Sequence, residues 1–503
     1  MYSCLLLIFG TISGQGPKTP TFVAKELDTF IEKGLEQWDI PGLAIGIVKD
    51  GKLIKAKGYG VKEWEKQQKV DINTLFLIGS NTKGFTGILA ALLEHEGKLD
   101  LDKPVIAYLP WFRMYDPNVT ALISTKDMLA HRSGLGTFQG DFVQWNSTLT
   151  RKEAIKKMSL MPPKLSFRNE FGYCNYCYIV TGEVLEAVEG KSWERQIQER
   201  FFGPLGMNRS LTKATAITTA ENTARAHTYY NDTLSKIPIP SIDAVSAAGS
   251  MASSVNDLAK WATMLLDNGK FDGQQVVPEK VLQKVWYPET IRSVQKKEHI
   301  PSTYNHYGLG FILADYDEAL QVYHGGGTDG FISEVSLLPK ENLGIIILTN
   351  TDASGLFNQA IKYQILAAYT GQPAYDYNAH YLKLHQEERQ TEADRIQREW
   401  AATLGERQPE LPLERYTGTY YNKVYGDIEI KEENGKLTVH FSNHPEKIGV
   451  LAPKGTNAFL TRFNYPGWGI QPTSFEVAKG KVTAFEMGVS PFIEHNRYVF
   501  TKK

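Results

Sequence analysis

The chain has 503 residues, 42% hydrophobic and 22% charged, with a net charge of −1. That length exceeds one typical domain, and the composition is that of an ordinary globular protein. Near-neutral charge gives no electrostatic reason to bind nucleic acid or an anionic membrane, and no run approaches the roughly 18 apolar residues that span a bilayer.

Residues 1–16 read as an export leader: an apolar core, Leu5 to Ile12, precedes Ser13-Gly14-Gln15-Gly16, although the basic n-region is missing. The expected location is therefore secreted or periplasmic. Residues 23–38 have helical period, with Leu27, Phe30, Ile31 and Leu35 on one face. A hairpin follows, Leu43–Val48 and Leu53–Ala56 about Asp50-Gly51. Residues from about 80 to 290 read as helices and loops. Phe331–Leu338 and Leu343–Thr349 form a second strand pair around Pro339-Lys340-Glu341-Asn342. Strands at both ends with helices between imply one antiparallel sheet, closed by the chain's extremes and flanked by helices.

Composition shifts after residue 375. Residues 376–412 are charged and helical in period, ending in Pro409-Glu410-Leu411-Pro412. From Tyr416 onward, short alternating strands such as Leu437–Phe441 and Val482–Phe485 suggest a small barrel or sandwich. The expected division is 17–375, 376–412 and 413–503. Of the three cysteines, Cys4 lies in the leader. Cys174 and Cys177 form C-x-x-C without a second Cys/His pair at zinc spacing, so buried thiols are expected and no metal.

Ser80-Asn81-Thr82-Lys83 sets a nucleophile and a proton acceptor one helical turn apart. Ser-x-x-Lys recurs at Ser210 and Ser293, but only the Ser80 copy opens a long apolar helix (Phe85, Ile88, Leu89, Leu92, Leu93). There the helix dipole favours developing negative charge. Tyr173-Cys174-Asn175 lies between Phe171-Gly172 and the apolar helix Ile179–Leu185, where a phenol can reach Ser80. His324-Gly325-Gly326-Gly327 offers backbone that can approach a substrate closely and aim N–H groups at an oxyanion. An α/β-hydrolase is excluded: no serine has glycines at both −2 and +2, and this loop follows the nucleophile rather than preceding it.

Ser-x-x-Lys, then Tyr-x-Asn some ninety residues later, then His-x-Gly some 150 beyond, resembles the penicillin-recognising serine hydrolases. Within them the chain is most similar to the class C β-lactamase branch, with its D-aminopeptidases, D-Ala-D-Ala carboxypeptidases and esterases. Met128–Leu135, Gly203–Met207 and Ala247–Met251 support the resemblance, which covers residues 22–365. Residues 413–503 resemble the lipocalin-like barrel often fused to such enzymes. The implied fold is α+β, a β-lactamase-like sheet and helical domain followed by that barrel.

The resemblance implies that Ser80 is acylated, that Lys83 and Tyr173 share general-base work with the phenol as phenolate, and that Asn175 orients Lys83 and substrate. It puts His324, Gly325 and Gly326 along the substrate and makes the oxyanion hole from the N–H groups of Ser80 and Gly327. It implies no cofactor, a small-molecule or short-peptide substrate, and leaves an oligomer open. Where many β-lactamases of the branch have lysine this chain has His324, near-neutral at pH 7. Small amides, D-amino-acid peptides or esters are then expected ahead of β-lactams, unless Arg132 or another arginine supplies the charge. The alternatives are a true β-lactamase or a catalytically silent scaffold of the same fold.

Overall fold

A computed structural model of the chain describes residues 19–230, 233–404 and 408–503; the expected leader lies outside them. Helix α1 (Leu27–Gln37) leads into hairpin strands β1 (Gly42–Lys49) and β2 (Lys52–Gly60). Asp50 and Gly51, with φ of 50° and 72°, supply the two left-handed residues that a tight hairpin turn needs. Helices α2 (Thr82–His95), α3 (Asn175–Glu189) and α4 (Val255–Leu266) follow. Strands return as β3 (Thr290–Val294), β4 (Tyr304–Tyr307), β5 (Ile312–Tyr316) and β6 (Ala319–Thr328). The sheet ends with β7 (Phe331–Leu338) and β8 (Leu343–Thr349), before helices α5 (Gly355–Thr370) and α6 (Tyr377–Ala401).

Among the described residues these eight strands form one antiparallel sheet, ordered β2-β1-β8-β7-β6-β5-β4-β3. Ile45 pairs with Ile347, so the first and last strands are neighbours and the chain's extremes close the sheet. Side chains alternate between faces. Leu43, Ile45 and Ile47 pack under α1 and α5 with Trp38 and Phe357, whereas Ala44 and Val48 face the helical layer opposite. Gly34 lets α1 close on α5, since a Cβ there would stand 2.0 Å from the Phe357 ring. On the other face α2 is buried without interruption from Thr82 to Leu93, and Phe85 stacks on Trp261 at 3.7 Å between centroids.

Two features lie outside the sequence expectation. Strands β3 to β5 extend the sheet through residues 290–316, which the sequence reading leaves unassigned. Gly325, Gly326 and Gly327 belong to β6 itself, paired with Glu334, Ser333 and Ile332 of β7, rather than to a loop.

The C-terminal strands, β9 (Gly418–Asn422) through β16 (Tyr498–Lys502), close into an eight-stranded barrel among the described residues, which excludes the sandwich. Its core runs on into the larger unit. Phe142 lies 4.9 Å from Tyr425 and 5.5 Å from Trp468 between ring centroids. Polar contacts frame this junction: His444 Nε2 meets the Trp145 carbonyl at 2.9 Å, and Tyr465 donates to Asp329 at 2.8 Å. Among the described residues no helix is long and apolar enough to cross a membrane.

Candidate active site

The Ser80 turn is fixed by what glycine permits around it. Gly79 has φ of +50°, and a Cβ there would stand 2.8 Å from the Gly327 nitrogen. A Cβ on Gly326 would stand 1.9 Å from the Ile78 carbonyl oxygen, so only glycine lets β6 lie against this turn. Ser333 of β7 then pins it, donating to the Ile78 carbonyl at 2.7 Å and accepting from Asn81 Nδ2 at 2.7 Å. Ser80 sits in a 3₁₀ turn, Gly79–Asn81, that feeds into α2. Ser80 and Gly327 thereby line one cavity.

Lys83, in the first turn of α2, is fully buried. Its Nζ lies 3.0 Å from Ser80 Oγ, 2.8 Å from Asn175 Oδ1 and 2.8 Å from the Ala248 carbonyl. Burial lowers its pKa to about 7, against the partial support of the Asp141 charge. The Lys83 amine lies 4.9 Å from the Tyr173 ring centroid, and Tyr173 lines the same cavity as Ser80. Burial pushes the Tyr173 phenol above its ordinary range, outweighing the opposing influence of the Ser80 side chain and the Arg292 charge. Burial thus favours the phenol over the phenolate that the resemblance implies. Asn175 opens α3, and its Nδ2 donates to Asp141 at 2.6 Å.

His324 places its Nε2 2.9 Å from the Tyr307 hydroxyl and its Nδ1 2.5 Å from the Gly325 carbonyl. A carbonyl only accepts, so Nδ1 carries a proton, and in the neutral ring Nε2 accepts from Tyr307. Burial lowers its pKa to about 3. Arg132 is engaged elsewhere, donating to Asp127 at 2.7 Å and Glu289 at 3.3 Å. Arg292 instead lines the cavity above Ser80; it lies over the Phe171 ring at 5.2 Å and bonds Asn305 at 2.9 Å. Its buried Nε has no hydrogen-bond partner among the described residues.

Ser80, Tyr173, Asn175, His324, Gly325 and Gly327 all line a cavity of about 590 Å³. Lys83 and Gly326 stand behind its wall. The residues expected from sequence are thus brought together, as are others that sequence reasoning missed. Asp141 and Glu334 add buried carboxylates, the second paired with the buried Lys362 at 2.9 Å. His131 supports the Tyr173 loop, its Nδ1 accepting the Cys174 N–H at 3.1 Å while its ring packs 4.4 Å from that of Tyr173. Phe492 and Ile493 arrive from the barrel. His131 lies in the Met128–Leu135 stretch, the one available signal; the others stand alone in unpatterned segments. Cys174 and Cys177 are free, buried thiols.

Comparison with known proteins identifies the family and the fold. The Beta-lactamase family model matches residues 27–370, and residues 405–502 match a "Domain of unknown function (DUF3471)". The chain is 27% identical over 418 residues to "Unguisins hydrolase ungD'" of Aspergillus campestris, covering 80% of this chain and 76% of that protein. The octameric penicillin-binding protein homologue of Pyrococcus abyssi shares the fold with a TM-score of 0.62 at 21% identity, covering 95% and 99% of the two chains. A D-stereospecific amidohydrolase of Streptomyces gives 0.55 at 21% identity, covering 69% and 98%. With the family matched across most of its sheet and helical layer, the chain belongs to the beta-lactamase family of penicillin-recognising serine hydrolases.

Proposed function

We propose that the chain hydrolyses small amides, peptides or esters through an acyl-enzyme on Ser80. The observation that carries this reading is the environment of Lys83. A neutral amine has two N–H groups and one lone pair. Asn175 Oδ1 and the Ala248 carbonyl take the two N–H groups, so the lone pair is left for the Ser80 hydroxyl at 3.0 Å.

In this reading Lys83 accepts the Ser80 proton as Oγ attacks the carbonyl carbon. The N–H groups of Ser80 and Gly327 stabilise the oxyanion. The Tyr173 phenol passes a proton to the leaving group and is reprotonated through Lys83, and water then hydrolyses the ester formed at Ser80. His324, being neutral, orients β6 rather than binding a carboxylate, and Arg292, with Lys297 on the same cavity wall, is a cation available to an anionic leaving group. A D-stereospecific amidohydrolase among the similar structures supports amides, including those of D-configured groups, and an unguisins hydrolase among the relatives supports hydrolysis. Export by the leader, division at 375 and 412, and self-assembly like that of the octameric homologue belong to the same proposal.

The test is labelling by a fluorophosphonate or a fluorescent penicillin alongside turnover of an amide and ester panel. Ser80→Ala is expected to abolish both. Labelling or turnover that survives the substitution removes Ser80 as nucleophile.

A further inference from the structure

The carboxylate nearest the catalytic amine has no role in the reading above, which this inference deepens and rests on. Asp141 is 2% exposed and lies on the wall of the Ser80 cavity. Its Oδ2 accepts from Asn175 Nδ2 at 2.6 Å and its Oδ1 from Gln144 Nε2 at 2.7 Å. An amide side chain can sit either way round, and the two orientations present opposite groups to Lys83. A carboxylate accepting from Nδ2 selects the one with Oδ1 toward the amine. The reversed amide would face N–H to N–H, turn the amine, and take its lone pair off Ser80.

Asp141 is itself held from the barrel. Gly140 and Phe142, its two chain neighbours, both donate their backbone N–H groups to Glu494, each at 2.9 Å, one to either carboxylate oxygen. Glu494 is 1% exposed, and Tyr498 and Asn496 fill its remaining acceptor sites at 2.9 and 2.6 Å. Gly140 has φ of +90°, and a Cβ there would stand 2.5 Å from Met161 and 2.8 Å from Tyr176, so glycine is required at this turn. A continuous path runs from Glu494 through the 140–142 backbone, Asp141 and Asn175 to Lys83.

We infer that Asp141, clamped by Glu494 of the barrel, is a positioning residue that aims the Lys83 lone pair at Ser80 through the Asn175 amide. The barrel thereby completes the active site rather than only roofing it. Burial pushes the Asp141 carboxyl up to about 7 and the nearby Lys83 charge opposes this, in keeping with close electrostatic contact between the two.

The test is a double-mutant cycle in the full chain, with kcat and KM measured on a p-nitrophenyl ester. Asp141→Ala and Asn175→Ala are each expected to lower kcat by about tenfold or more while KM changes less than about threefold, and the double variant to be no slower than the slower single one. A double variant slowed by the product of the single effects, or an unchanged kcat in Asp141→Ala, overturns the inference. Glu494→Gln keeps every side chain of the larger unit and loses one acceptor. It is expected to show the same kcat-selective loss at an unchanged melting temperature, and an unchanged kcat overturns the barrel's part. The Ser80→Ala outcome is read separately and bears only on the nucleophile.

Discussion

Lys83 is buried among acceptors, and its proton affinity sets the working pH. Burial disfavours the ammonium, so the amine loses its proton near pH 7 rather than near 10.5. Below that value Lys83 is charged and cannot take the Ser80 proton; above it the base is free. The rate of ester hydrolysis is therefore expected to rise with pH through about 7 and then level off, measured as kcat/KM with a neutral ester. A limb rising only near pH 10 would mean that Lys83 titrates as an ordinary lysine. At the same scale Arg292 and Arg132 divide what sequence left open. A charged hydrogen bond contributes about 1.5–3 kcal/mol, so Arg292→Ala is expected to raise KM for carboxylate-bearing substrates by about tenfold or more. KM for neutral esters and the behaviour of Arg132→Ala are expected to show no such selectivity. The Ser80, Lys83 and Tyr173 triplet was legible because helical spacing and chain order are written locally. The choice between the two arginines was not, because it depends on Asp127 and Glu289 reaching Arg132 from elsewhere in the chain.

At the scale of elements, the contact between β6 and the Ser80 turn joins the sheet to the helical layer. Gly326 and Gly325 are neighbours in one strand with opposite tolerances. A Cβ at 326 meets backbone oxygen at 1.9 Å, while at 325 the nearest atom is a Glu334 carboxylate oxygen at 3.3 Å. Gly326→Ala is expected to push β6 off the turn, at a cost of about 1–3 kcal/mol for overpacking, with activity lost along with the proposed oxyanion hole. Gly325→Ala is expected to melt within a few degrees of the unchanged protein; thermal denaturation of both variants checks the contrast. The same strand shows where sequence reading of elements stops. Glycine carries little strand preference, so His324 to Gly327 reads as loop although it is paired along its length. Strands β3 and β4 escaped for another reason: the apolar side chains Ile291, Val294 and Tyr304 are more than half exposed at the sheet's edge, while polar Thr290 and Asn305 are buried, so no apolar alternation marks the inner face. The Asp50-Gly51 hairpin and the alternating barrel strands were legible because turn chemistry and period agree there.

For the whole molecule, the two units share one apolar core through Phe142, so the barrel's loops are held in fixed relation to the site. Sequence reading placed the barrel but not this union, since no local pattern says which barrel loop meets which cavity. The loop around Phe492 is the consequence with the clearest chemistry. Its ring stands 3.6 Å from where a Cβ would be on Gly327, beside the proposed oxyanion hole. The same side chain also lines a separate cleft of about 820 Å³, between α6, the barrel and the larger unit. Phe492 thus forms a partition between the Ser80 cavity and that cleft, and a bulky acyl group seated at Ser80 would press on it. Removing the ring joins the two spaces without touching Ser80, Lys83 or Tyr173. Phe492→Ala is therefore expected to raise kcat/KM for long-chain or aromatic esters relative to acetate by about tenfold or more, tenfold being the low end of what one methylene of apolar contact contributes, with acetate turnover changed little. An unchanged chain-length profile in that variant would mean that Phe492 does not limit the acyl group, and would leave the Glu494 carboxylate as the barrel's route to the site.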